Sequence, residues 1–106
     1  MTPHIHTFTG RDLNPLSLKI DDIVIEDIAH GLSLCNRFAG QTKRPISVAQ
    51  HSVFASHLCN GTGFELQALL HDASEAYLSD MTKWVKAAPE MKHFREAEER
   101  AQRQIF

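Results

Sequence analysis

The segment LLHDASEAYLSD, residues 69–80, concentrates the side chains most able to do chemistry. On an α-helix each residue advances about 100°, so with His71 at zero, Glu75 falls near ~40° and Asp72 near ~100°. One imidazole and two carboxylates then share a sector beside an apolar side made of Leu66, Leu69, Leu70 and Ala73. Unpaired charge at the edge of an apolar face is costly to bury. A divalent cation offsets that cost, and imidazole with carboxylate suits Mn, Fe, Co, Ni or Zn. The plainer alternative is an exposed polar edge with an i, i+4 contact between His71 and Glu75.

A further candidate ligand stands upstream. His51 follows Ser47 by four residues, on the side of its helix shared with Val48, Ala55 and Leu58. A lone imidazole on such a face is ordinarily a satisfied core histidine. Two helices joined by a short turn pack antiparallel, however, which brings the early turns of one toward the later half of the other. His51 and His71 then become neighbours, and a His–His–Asp metal set has a geometric basis.

The elements that must position these groups read as helices. Ile25, Ile28, Ala29, Leu32 and Cys35 recur at three- and four-residue steps. Residues 38–45 break that pattern, with AGQT at 39–42 reading as a turn or small hairpin. Ser47 and Gln50 match a capping box ahead of a helix whose buried side would be Val48, Phe54, Ala55 and Leu58. Asn60-Gly61-Thr62-Gly63 ends it. One helix is expected over residues 64–78, with Asp80 capping a short helical turn at 81–84. Pro89 suits the first turn of a charged helix over 90–106, striped by Met91, Phe94, Ala101 and Ile105. Strand signals are scarce, so the fold class is all-α. Residues 1–20, with Pro3, Gly10, Asn14 and Pro15, read as a loop-like arm.

A chain of 106 residues makes a single domain, here 1–106. Its apolar stripe is still running at Phe106 with no capping glycine behind it, which reads as a domain truncated at its C-terminal end. A net charge of -2 gives no default nucleic-acid partner and no attraction to an anionic membrane surface. No apolar run approaches the roughly 18 residues of a membrane span, and MTPHIHTF lacks a signal-peptide pattern. Cys35 and Cys59 have no CxxC spacing, so a reduced, cytoplasmic setting is expected. If the last stripe lacks a natural cover, self-association into a homo-oligomer or aggregate follows.

Taken together, SVAQHS at 47–52 and LLHDASEAYLSD at 69–80 resemble the HD-domain superfamily of metal-dependent phosphohydrolases. Within it the likeness is to bacterial and phage 5′-deoxynucleotidase-type enzymes, and residues 25–52 extend it, so that it spans about residues 10–106. The resemblance implies an HD-domain helical bundle, here apparently lacking its C-terminal helices, and a hydrolase acting on deoxynucleotide mono- or triphosphates. It makes His51, His71 and Asp72 ligands of a divalent ion (Mn, Co, Fe, Ni, Zn or Mg). It makes Glu75 the group that orients or deprotonates the attacking water, and Asp80 an acidic residue near the sugar or leaving-group oxygen. Arg37 becomes a phosphate clamp, and His30 either lines the pocket or packs in the core. The family's further ligand, a downstream aspartate, has no counterpart, because no aspartate follows Asp80. Either the chain as given ends before that helix, or this is a shortened form. In that second case a non-catalytic scaffold binding a nucleotide or a protein partner is the alternative.

The remaining features have plain readings. His57 lies about 240° from His51 on the helix and faces elsewhere. His4 and His6 form an HxH pair in the arm, suited to adventitious metal binding. Lys43 and Arg44 belong to a solvated loop. Tyr77 and Trp84 are expected in the core or at an interface, and REAEERAQR at 95–103 reads as a solvated face with i, i+4 ion pairs.

Overall fold

In the computed structural model, which describes residues 2–106, the sharpest helix start is the one the sequence marks most clearly. The Ser47 hydroxyl accepts the Gln50 N–H at 3.0 Å, and the Gln50 side-chain oxygen accepts the Ser47 N–H at 2.8 Å. That reciprocal cap opens α2 (Val48–Leu58). Before it, α1 (Ile25–Leu34) carries Glu26 and Asp27 in its first turn, where the helix dipole favours negative charge. The chain returns from α1 to α2 as a narrow loop, with Arg37 N–H donating to the Ile46 carbonyl at 2.8 Å and Val48 N–H to the Cys35 carbonyl at 2.7 Å. After α2 come α3 (Glu65–Leu69), α4 (Glu75–Leu78), α5 (Lys83–Lys86) and α6 (Lys92–Ile105). Pro89 opens a 3-10 turn, Pro89–Met91, that leads into α6.

The chain is mostly helical, as expected, but not wholly so. Residues 2–20 are more than the loop-like arm expected: Ile5–His6 (β1) and Asp12–Leu13 (β2) pair antiparallel in a two-stranded sheet. Gly10, at φ 91°, makes the reversal between them, its N–H donating to the Thr7 carbonyl. The hairpin is tied to α1 by the buried Asp27 carboxylate, which accepts the Thr9 N–H at 2.8 Å and the Thr9 hydroxyl at 3.0 Å. Burial alone would raise the Asp27 pKa, but these bonds and the Arg11 charge outweigh it and hold the carboxyl below its ordinary value. Leu13 and Leu18 then enter the core with Ile28, Leu32, Val48, Ala73, Tyr77 and Ala101. Strands of two residues are too short to display alternation, so the sequence pattern could not announce them.

Close packing of α1 on α4 depends on Gly31. A Cβ there would meet the Ala76 Cβ at 3.1 Å and the Ala76 backbone at 3.2 Å. Two apolar faces depart from expectation. On α2 the buried residues are Val48 and Ser52, while Phe54 is 63% and Leu58 71% exposed. On α3, Leu66 is 62% exposed. Val48 and Ser52 thus form the inward side of α2, and its larger Phe54 and Leu58 are left outside. Among the described residues no helix is long and apolar enough to cross a membrane.

The single helix expected over 64–78 is interrupted. Residues 70–74 form a tight turn between α3 and α4. Here Ala73, Glu75 and Ala76 donate to the carbonyls of Leu70, Asp72 and Ala73, each three residues back. The continuous helical wheel therefore does not describe His71, Asp72 and Glu75.

Candidate metal centre

The turn at 70–74 carries His71 and Asp72 directly toward α2. His71 Nε2 stands 3.0 Å from Asp72 Oδ2 and 3.3 Å from His51 Nε2, and His51 Nε2 is 3.7 Å from Asp72 Oδ2. Three donor atoms from two separate elements thus lie within 4.8 Å of one another. Ligand atoms about 2.1 Å from one ion stand roughly 3.0 Å apart at octahedral angles and roughly 3.4 Å apart at tetrahedral ones. The observed triangle is of that size. His71 Nδ1 lies 2.5 Å from the Ala68 carbonyl, which can only accept, so the ring proton sits on Nδ1 and the Nε2 lone pair faces the triangle. Burial and the Arg37 charge push the His51 pKa below its ordinary value, against the pull of Asp72, which favours the neutral, donor form. The residues fit a divalent ion.

Beside the triangle opens a cleft of about 530 Å³, lined among others by Arg37, Asp72, Glu75, Asp80, Lys83 and Lys86. Arg37 reaches it because the loop between α1 and α2 folds back on itself, and its guanidinium lies 4.7 Å from the centre of the Phe38 ring. Phe38, Ala39 and Ser79 have φ of 57°, 53° and 73°, and they are the non-glycine residues in that region among those described. Phe38 lines the cleft and Ser79 precedes Asp80, so this costly backbone geometry gathers at the site. Asp80 does not cap α5: the residue before that helix is Thr82, and no side-chain cap bond forms there.

Glu75 is the most perturbed group in the cleft. It is buried, and burial first, then the charges of Asp72 and Asp80, raise its pKa to about 8, with Lys86 opposing. For Lys86, burial works to lower the pKa, but its bonds to Glu98 at 3.0 and 3.1 Å and the surrounding carboxylates raise it.

The run 95–103, expected to be solvated, is so only in part: Glu99 and Arg103 are exposed and pair at i, i+4, while its other side grips the site. Arg95 donates from Nη1 to the Lys86 and Ala88 carbonyls, Glu98 holds Lys86, and Gln102 reaches the turn at 70–74. Sequence reading missed these roles, because polar residues at i, i+3 and i+7 look the same whether water or another backbone faces them. Lys83 and Trp84 also line the cleft, and Trp84 is 82% exposed rather than in the core, whereas Tyr77 is buried. His30 is not brought to the cleft: its ring stacks on Phe8 at 3.9 Å in a recess near the hairpin. His6 pairs with Asp12 at 2.8 Å across the hairpin. His57 is exposed, as expected.

No family model matches the chain. It is 47% identical over 77 residues to the uncharacterized protein YfdR of Escherichia coli, covering 73% of this chain and 43% of that protein. It is 46% identical to an uncharacterized protein of Rhodobacter capsulatus over 88 residues, covering 76% of this chain and 45% of that one. The chain therefore spans somewhat under half the length of these relatives. Their names carry no activity.

Proposed function

We propose that this chain carries the metal- and phosphate-binding part of an HD-domain phosphohydrolase acting on deoxynucleotides. The observation that supports it most is the convergence of His51, His71 and Asp72 at ligand spacing, beside a cleft holding Arg37 and Glu75. When bound, a divalent ion supplies Lewis acidity and neutralises phosphoryl charge. Arg37 binds phosphate oxygens through its planar fork of donors. Lys83 and Lys86 keep the cleft from being wholly anionic. Glu75, whose pKa is raised in the metal-free cleft and would be drawn down by a bound cation, accepts a proton from the attacking water. Asp80, at the cleft wall, is placed near the sugar or the leaving-group oxygen and accepts a hydrogen bond from a sugar hydroxyl.

The test is phosphate release from a panel of deoxynucleoside mono- and triphosphates, with Mn, Co or Mg added and an EDTA control. Release that needs metal and is lost in Glu75→Ala is the expected result. Bound metal or nucleotide without release would favour a second reading, a non-catalytic HD scaffold that holds a nucleotide or a protein partner. That reading draws on the donor set, which offers three protein ligands where a fourth would fix the geometry more tightly.

A further inference from the structure

We infer that Gln102 is a positioning residue for the metal ligands, its side-chain amide clamping both ends of the turn that carries His71 and Asp72. The inference rests on the assignment of those two residues as ligands. Gln102 Nε2 donates to the Leu70 carbonyl at 2.7 Å, and Gln102 Oε1 accepts the Ser74 N–H at 3.1 Å. Leu70 and Ser74 bracket His71, Asp72 and Ala73, so a single side chain from α6 spans the turn. A carbonyl needs a donor and an N–H needs an acceptor, which fixes the orientation of the amide. Ser74 is buried, and among the described residues its N–H has no backbone acceptor. Gln102 is what satisfies it.

The clamp decides between two backbones. The sequence over 64–78 has helical periodicity, and a continuous helix would set His71 and Asp72 about 100° apart around its axis. Gln102 instead occupies the Ser74 N–H that such a helix would direct to the Leu70 carbonyl, and donates to that same carbonyl itself. The turn is thereby held in the tighter form in which His71 Nε2 and Asp72 Oδ2 are 3.0 Å apart. Partners behind metal ligands that fix their orientation typically change metal affinity by about 10–100-fold when removed.

The experiment titrates Mn and Co into metal-free wild type, Gln102→Met, Gln102→Ala and an Arg103→Ala control by calorimetry. Arg103 lies on the same helix and contacts Glu99 at the surface. Amide exchange at Ser74 is followed in the metal-free proteins. The expected result is a dissociation constant raised about 10–100-fold in both Gln102 variants, with faster Ser74 exchange and wild-type affinity in Arg103→Ala. A residue that only supported the fold would lower the melting temperature and leave the affinity of the folded protein unchanged, which would overturn the inference. Failure of both Gln102 variants to fold would overturn it as well, by making Gln102 a folding residue. Wild type that takes up no metal would instead sink the ligand assignment itself, so the two failures are told apart.

Discussion

Glu75→Gln should stabilise the metal-free protein, and by an amount that grows with pH. The carboxyl lies in a buried pocket facing Asp72, Asp80 and Glu98, with Lys86 as the opposing charge, and its pKa rises from 4.5 to about 8. Below about pH 4.5 both folded and unfolded chains hold the proton, and the contribution vanishes. Between there and about pH 8 only the folded chain holds it, so wild-type stability falls as pH rises. At about 1.4 kcal/mol per pH unit, the loss relative to glutamine reaches about 3 kcal/mol at pH 7 and about 5 kcal/mol above pH 8. Glutamine keeps the shape and removes the titration. Urea unfolding followed by far-ultraviolet circular dichroism, from pH 5 to 8.5 with EDTA, measures the difference. The midpoint of Glu75→Gln should exceed that of wild type by roughly 1–3 M urea near neutrality, and the gap should close toward pH 5. Parallel curves would refute the reasoning, because they would mean that water reaches Glu75 in the folded chain. Added Mn should shrink the gap, since a cation at the triangle favours the ionised carboxylate.

Two other perturbations probe the site and its scaffold. Asp72→Ala should abolish stoichiometric uptake of Mn or Co by calorimetry, and retained metal would refute the ligand assignment. Gly31→Ala sets helix propensity against packing: alanine gains up to about 1 kcal/mol within α1, but its Cβ would press on Ala76, and overpacking of this kind costs about 1–3 kcal/mol. A melting temperature several degrees lower is expected, whereas an unchanged or higher one would mean that α1 and α4 separate freely.

Much of the scaffold was legible in the chain itself. The Ser47–Gln50 cap, the turn glycines at Gly61 and Gly63, and the proline before α6 act through neighbours in sequence, so their types and spacing specify them. The donor set was legible for a related reason. Imidazole and carboxylate have few roles on an apolar face, and a short connection between helices forces His51 toward His71. The path of residues 2–20 was not legible, because it depends on Asp27 accepting from Thr9 across eighteen positions.

The sequence by itself determined which groups could bind a metal, where the longer helices begin, and that the chain is mainly helical. Only the tertiary structure decided how His71 and Asp72 meet. Their turn is set by Gln102, 28 positions beyond Ser74, and no local periodicity can report a bond that forms only when α6 crosses it. Tertiary packing also decided which apolar side chains are buried. Gly31 permits the close approach of α1 to α4, while Phe54, Leu58 and Leu66 remain outside although their spacing suits a core.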